Sequence, residues 1–388
     1  MAADFVGQLT SALEARRSRG HLRTLETRSG AQGVDIIMDG RRVVNFASND
    51  YLGLANDPRI IGRVHAELDR HGFGSGAAAL LSGRSHLHVE LERCFARFTG
   101  MEAALMFSSG YLANLGAIAA LVERRSFVLH DRLNHASLID AVIASGAPHR
   151  RYPHLDMDSL DQRLSCAPDA IKWIVTESIF SMDGDVAPLD TLTRVSRKRA
   201  ARLYIDDAHG FGVTHGGRGV CGALTAADRA ECIVMVTFGK ALGSMGAVIL
   251  ASQQVIDYLV QTARTFVYDT ALPPVCAAAA LEALSILDEN DRATRKLADN
   301  ITHFRAAAAA AGLPLMDSNT PIQPVTIGDD ARAVAVARGV CEDGFYVRAI
   351  RPPTVPNGTA RIRISLSAAH QRRHLEDLAT SLAHRLSL

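Results

Sequence analysis

Lys240 follows a short apolar run, Ile233-Val234-Met235-Val236, that stops at Thr237-Phe238-Gly239. A run of that length and β-branched content reads as a buried strand. Phe238, Ala241, Leu242 and Met245 surround the lysine in sequence. Lost hydration lowers an ammonium pKa from its reference of about 10.4 and leaves an amine able to act as a nucleophile or to form a Schiff base. A strand-end lysine ordinarily runs its stem along apolar surface and reaches water, so the case rests on what else collects near it. Ala103 to Phe107 leads into Ser108-Ser109-Gly110-Tyr111, and Ser126 to Leu129 into Asp131 to Ser137, which includes His135. Trp173 to Val175 leads into Glu177 to Gly184, which includes Ser181, and Leu203 to Ile205 into Asp206-Asp207-Ala208-His209-Gly210. Ligands of open α/β sheets sit beyond the carboxyl ends of the strands. Five strand ends furnished in this way outline one site.

The set is one lysine, one strand-end aspartate, two histidines, several hydroxyls and a glycine-containing turn, which matches the needs of pyridoxal phosphate chemistry. The aldehyde needs an amine and the pyridinium nitrogen needs an anion. The ring needs a flat cover, and the phosphate needs amide and hydroxyl donors. Other motifs fail. Val234 stands where the first glycine of a P-loop ending in Gly239-Lys240 belongs, and His215 where a third dinucleotide-binding glycine would follow Gly210 and Gly212. Ser75 and Ser109 have no glycine two residues before them, so neither is a nucleophile elbow. His86 and His88 are too close for a helical metal pair and read as surface histidines. No metal is expected.

The elements that must position this set alternate helical segments with apolar runs from about residue 56 to 285, the pattern of βαβ units and a largely parallel sheet. Upstream, Phe5, Leu9, Ala12 and Leu13 share one helical face, followed by Arg16, Arg17, Arg19 and Arg23. Two short runs about Asp39-Gly40 predict a hairpin. Asn45 to Leu54 reads as a loop. Downstream, an alanine-rich helix over 305–311 precedes short strands near 322–327 and 345–350. In 360–366, Ile362, Ile364 and Leu366 alternate with Arg361, Arg363 and Ser365, and a final helix is expected over 368–386. Arg361 fits a solvated strand face. The expected organisation is an N-terminal arm over 1–50, a large domain over 51–285 and a small α+β domain over 286–388.

The chain has 388 residues, 48% of them hydrophobic and 21% charged, with a formal net charge of +1. That balance offers no basic field for nucleic acid or an anionic membrane and points to a small-molecule partner. Six scattered cysteines without CxxC spacing suggest neither a disulfide framework nor a zinc ribbon, and a reducing cytoplasm fits. No signal peptide or membrane span is expected.

Asp206-Asp207-Ala208-His209-Gly210-Phe211-Gly212 together with Thr237 to Gly243 resembles the α-oxoamine synthases, fold-type-I pyridoxal phosphate enzymes that join an amino acid to an acyl thioester and release carbon dioxide. Asn45 to Leu54, Ser109 to Asn114, Asn134 to Leu138 and Phe180 to Asp185 are similar as well, so the likeness spans nearly the whole chain. The resemblance implies a large domain with a mainly parallel seven-stranded sheet flanked by helices, and a homodimer with a shared active site. Carried over residue by residue, it makes Lys240 the Schiff-base lysine and acid/base, Asp206 the partner of the pyridine nitrogen and His135 the cover of the ring. His209 and Ser181 bond the phenolate oxygen. Ser109, Gly110, Tyr111 and Thr237 hold the phosphate, with Thr270 reaching in from a second subunit. Arg363 takes the amino-acid carboxylate, while Arg23, Asn49 and Arg351 lie toward the acyl substrate. Residues 349–356 and 359–363 resemble the member that joins a pimeloyl thioester to L-alanine. Another member using glycine or serine, and a non-catalytic partner subunit, stay open, as does the acyl carrier, coenzyme A or a carrier protein. Ala77 to Leu80 depart from a stretch commonly richer in glycine, serine and arginine.

Overall fold

The computed structural model describes residues 4–167 and 169–387. Helix α1 (Phe5–Ser18) buries none of its residues. Strands β1 (Arg28–Ser29), β2 (Asp35–Met38) and β3 (Arg41–Asn45) form an antiparallel meander. Its turn, Asp39-Gly40, has positive φ at both residues, 45° and 82°, as a two-residue hairpin requires.

Seven strands build the central sheet: β4 (Ala103–Phe107), β5 (Phe127–Asp131), β6 (His149–Tyr152), β7 (Lys172–Glu177), β8 (Ala201–Asp206), β9 (Cys232–Thr237) and β10 (Ala247–Ala251). Their order is β4-β10-β9-β8-β7-β5-β6. The five from β9 to β6 pair in parallel, whereas β10 runs antiparallel to both neighbours, so that Ala103 meets Ala251 and Phe107 meets Ala247. Successive residues of a strand face opposite sides, and the sheet is buried on both. Ile233 and Met235 join one apolar core with Val128 and Trp173, while Val234 and Val236 join the other with Leu129 and Ile174. That two-sided burial explains the uninterrupted apolar runs. Edge strand β6, with sequence His-Arg-Arg-Tyr, buries only Tyr152 and has no apolar run to announce it.

Helix α2 (Pro58–His71) is capped by Asp57, whose carboxylate accepts from Arg59 N. Helix α3 (His86–Thr99) buries Leu87, Leu91 and Phe95. His88 lies on that same face and is 4% exposed, which corrects its reading as a surface residue. Its Nδ1 accepts from Ser85 N at 3.1 Å, its Nε2 lies 2.7 Å from the Leu272 carbonyl, and burial lowers its pKa. Helices α4 (Gly110–Leu121) and α5 (Ala136–Ser145) cover one face of the sheet, and the helix Pro274–Glu289 packs on α2 and α3 beside the other.

Beyond the helix Arg292–Ala310, strands β11 (Ile322–Gly328), β12 (Phe345–Tyr346), β13 (Arg348–Ile350) and β14 (Ala360–Ser365) follow, and the last helix spans Arg372–Ser387. A three-stranded sheet has the order β11-β14-β13. Strand β12 joins β3 in parallel instead, so the N-terminal hairpin shares its sheet with the C-terminal part of the chain. None of the six cysteines is bonded to another. No helix among the described residues is long and apolar enough to cross a membrane.

Candidate active site

The parallel strands end along one edge, where register sets Glu177 of β7 beside Asp206 of β8 and Asp206 beside Met235 of β9. Past β9 the chain turns back into β10 through a tight loop. Phe238 N donates to the Gly246 carbonyl at 2.8 Å, Ser244 N to that of Phe238 at 2.9 Å and Gly243 N to that of Lys240 at 3.0 Å. Phe238 is fully buried and stacks on Phe95 with 5.1 Å between ring centroids. Truncating such a side chain typically costs about 3–5 kcal/mol, so the loop that presents Lys240 is anchored in the core. Gly243 has φ of 63°, and a Cβ there would lie 2.4 Å from Ala55 N, which reserves the position for glycine.

Lys240 makes no hydrogen bond or ion pair through its side chain among the described residues. Burial lowers its pKa to about 8, against the opposing pull of Asp206 and Glu177 and with help from Arg363. Asp206 is 5% exposed; Oδ2 accepts from Asn114 Nδ2 at 2.7 Å and Oδ1 from Ala208 N at 2.9 Å. Asn114 also donates to Ser137 Oγ at 2.8 Å and accepts from Tyr204 OH at 2.8 Å. His135 donates its backbone N–H to Glu177 Oε1 at 2.6 Å, and its Nδ1 accepts from Ser137 N at 3.2 Å. The residue as a whole is exposed, while its Nδ1 is turned to Ser137. Partial burial of the ring lowers its pKa, with Asp206 pulling upward and Lys240 pushing downward. Burial, then the Asp206 charge, raises the Glu177 pKa well above the usual carboxylate value.

His209 is buried, and its Nδ1 lies 2.7 Å from Tyr51 OH. Burial, then the charges of Lys240 and Arg363, hold its pKa well below the ordinary value, so the ring is neutral. Tyr51 OH also reaches Asn49 Oδ1 at 3.3 Å; when its one proton goes to His209 Nδ1 instead, the ring proton stands on Nε2 as a donor. Asp207 is wholly buried and accepts from Val220 N at 2.9 Å; burial raises its pKa to about 7.

Ser109 caps α4, its Oγ accepting from Leu112 N at 3.3 Å. The first amides of a helix have no intrahelical acceptor and attract anions, and here they belong to Gly110 and Tyr111. A Cβ on Gly110 would sit 3.4 Å from Met235 Cε and 3.5 Å from Thr237 Cβ, filling the space between helix start and strand end. Thr237 Oγ1 donates to the Gly246 carbonyl at 3.1 Å. This cradle, the amine and the anchored Asp206 carboxylate fit an aldehyde-bearing phosphorylated pyridine. Thr270 is exposed, bridges to Ala78 and makes no hydrogen bond to this group within the described residues. Residues 79–83 form a single π-helical turn with Leu80 and Leu81 exposed.

Arg363 of β14 is 8% exposed. Its Nε donates to the Ser181 carbonyl at 2.7 Å, Nη1 to Ser365 Oγ at 2.8 Å and Asn49 Oδ1 at 3.2 Å, and Nη2 to Asn49 Oδ1 at 3.1 Å. No carboxylate pairs with it among the described residues. Asn49 therefore sits on Arg363, while Arg23 and Arg351 lie apart. Arg23 Nη2 donates to Thr354 Oγ1 at 3.2 Å and Arg351 Nη1 to the Gly20 carbonyl, both on the exposed side of the arm. Arg361 is not solvated as its alternation suggested; it is 5% exposed and ion-paired with Asp183. That strand face is covered by the 178–186 loop, which no local pattern reveals.

Asn114, Tyr204, Glu177 and Tyr51 had no part in the sequence reading of the site, although Asn114, Glu177 and Tyr51 stand within stretches it singled out. Tyr204 had only strand alternation to mark it. No cluster of three or more metal-ligating side chains exists among the described residues.

The family model for aminotransferase class I and II matches residues 41–382. An 8-amino-7-oxononanoate synthase from Thiobacillus denitrificans is 48% identical over 344 residues, covering 88% of each chain. One from Methylococcus capsulatus is 46% identical over 96% of this chain and 97% of its own. Among solved structures, a serine palmitoyltransferase from S. paucimobilis with a bound PLP–myriocin aldimine aligns with a TM-score of 0.91 at 26% identity, covering 98% of each chain.

Proposed function

The chain belongs to the aminotransferase class I and II family, and within it we propose a pyridoxal phosphate-dependent acyltransferase, an 8-amino-7-oxononanoate synthase that condenses L-alanine with a pimeloyl thioester and releases carbon dioxide in biotin biosynthesis. Relatives of that name at 48% and 46% identity support the member. The observation that carries the chemistry is a desolvated lysine under the charge of a buried arginine that no carboxylate pairs with among the described residues.

When bound, pyridoxal phosphate supplies an electron sink for the pair left at the alanine Cα. Lys240 would hold its aldehyde and, as a free amine, would take the Cα proton. With a pKa of about 8, roughly a tenth of the lysine is free base at neutral pH, and a proton acceptor near the working pH is efficient in both directions. Asp206, held by Asn114 and the Ala208 amide, would be the partner of the ring nitrogen. His135 covers one ring face, and His209 and Ser181 donate to the phenolic oxygen. The α4 amides would hold the phosphate, joined by Thr237 when its hydroxyl turns from the Gly246 carbonyl, with Thr270 supplied by the second subunit of a homodimer. Arg363 binds the alanine carboxylate with the one N–H left over from its neutral acceptors, and its planar fork gains the second when the Asn49 oxygen, shared between Nη1 and Nη2, gives way. The family likeness alone places Arg23 and Arg351 toward the acyl end, whereas Asn49 accepts from Arg363 and so belongs with the carboxylate-binding fork.

The test crosses thioesters with alanine, glycine and serine and reads product mass. Pimeloyl thioester with alanine is the expected pair; preference for glycine with an acetyl thioester would overturn the assignment. Coenzyme A and carrier-protein thioesters, run side by side, identify the donor.

A further inference from the structure

Just past β6, His154 stands between two carboxylates. Its Nδ1 is 2.8 Å from Asp131 Oδ1 and its Nε2 is 2.6 Å from Asp185 Oδ2. A neutral imidazole offers one N–H and one lone pair, so two ionised acceptors at these distances require the doubly protonated ring. Burial opposes that charge, but the bonds to Asp131 and Asp185 outweigh it and raise the pKa to about 9. The other titratable neighbours do not compete for the proton. Burial, then the Asp131 charge, raises the Tyr152 phenol, and burial pushes His130 down to about 4. Phe180 sets its ring edge-on at 4.4 Å, and Asp183 turns away to Arg361.

The two carboxylates belong to different strand-end loops. Asp131 ends β5 and accepts from Leu133 N at 2.8 Å, two residues before His135. Asp185 closes the loop that carries Ser181; Phe180 N donates to the Asp185 carbonyl at 3.0 Å and Gly184 N to that of Phe180 at 2.9 Å. The Gly184 carbonyl accepts from Ser318 Oγ at 2.8 Å and Thr320 Oγ1 at 3.0 Å, which fastens this loop to the segment leading into β11. We propose that His154 is a positioning residue for the reaction, a charged bridge that fixes the separation between the loop presenting His135 and the loop presenting Ser181. The proposal rests on the assignment of those two residues to the cofactor.

Two holoenzyme variants test it. In His154→Gln the side-chain amide has donors for one carboxylate but turns its oxygen toward the other, so the bridge opens. In Asp185→Asn a neutral His154 donates from Nδ1 to Asp131 and accepts at Nε2 from the new amide, so the bridge survives without charge. His154→Gln should lower kcat/KM for alanine roughly tenfold and shift the absorbance band of the bound cofactor, a loss consistent with a loosened but intact site. Asp185→Asn should retain most activity at neutral pH. The wild-type His154 ring, followed by NMR, should titrate near pH 9 and should return toward its ordinary value in Asp185→Asn. Because the folded pKa lies above the ordinary 6.5, the stabilisation is complete below pH 6.5 and is lost as pH rises through about 9. The gap in unfolding temperature between wild type and His154→Gln should close over that window. A wild-type ring titrating near 6.5, or a His154→Gln enzyme with unchanged kinetics and cofactor band, would overturn the proposal. The NMR and thermal measurements need no substrate, so they stand even where the condensation assay fails.

Discussion

Arg361 and Arg363 are two residues apart on the same face of β14 and are almost equally buried, at 5% and 8% exposure. Arg361 pairs with Asp183 and donates further to the Thr359 carbonyl and hydroxyl at 3.1 and 3.2 Å. Arg363 is given only a carbonyl, an amide oxygen and a hydroxyl. Burying a guanidinium costs several kcal/mol unless an anion answers it, so a fold that needed both arginines merely as struts would supply two carboxylates. One position has its anion within the chain, and the other has only neutral acceptors among the described residues, which leaves room for the substrate carboxylate proposed above. Burial and residue type are the same at both, so the polar partner decides between architecture and binding.

Three experiments press on that distinction. The largest effect belongs to Arg361→Met, which strands Asp183 without its cation. Unfolding free energy should fall by about 3 kcal/mol, with adding Asp183→Leu recovering most of it, and the KM for alanine should stay put. A loss below about 0.5 kcal/mol, the level of an ordinary surface change, would erase the contrast. Next comes Arg363→Lys, which keeps the charge and removes the fork. Steady-state kinetics should show kcat/KM for alanine lowered roughly a hundredfold, about 2.7 kcal/mol, chiefly through KM, while stability scarcely moves. An unchanged KM there sinks the carboxylate assignment. The smallest effect is on Lys240. Its pKa of about 8 lies below the model-peptide value of 10.5, so the reactive free amine appears as pH climbs through about 8. The rate at which cofactor-free chain takes up pyridoxal phosphate should rise over that range. Arg363 is one of the charges that depress this pKa and Arg361 is not. Arg363→Met should therefore move the rise to higher pH, and Arg361→Met should leave it in place.

The sequence exposed what local pattern can carry. Ala103 to Phe107 is readable to the residue because full burial demands apolar side chains. The strand-end aspartate and lysine were readable because polar groups stand out after such runs. What stayed hidden depends on partners far along the chain. Asp183 meets Arg361 across 178 positions, and the Leu272 carbonyl that buries His88 is 184 positions away. The reversed direction of β10 was equally invisible, since an apolar run carries no arrow. Tyr204, which props Asn114 against Asp206, reads as one more aromatic in a strand.

The pairing of β4 has a bearing on how the molecule is made. Among the described residues its sole ladder partner is β10, with Ala103 set against Ala251. A ribosome adding about 5–20 residues per second would need on the order of ten seconds between releasing the first strand and the last. Throughout that interval Ala103 to Phe107, entirely apolar, has an open edge. Closing so long a loop is slow, and an unpaired apolar edge is a template for other chains. Until β10 emerges, the growing polypeptide is at its most vulnerable to aggregation, and a chaperone that shields this one strand would protect the whole assembly.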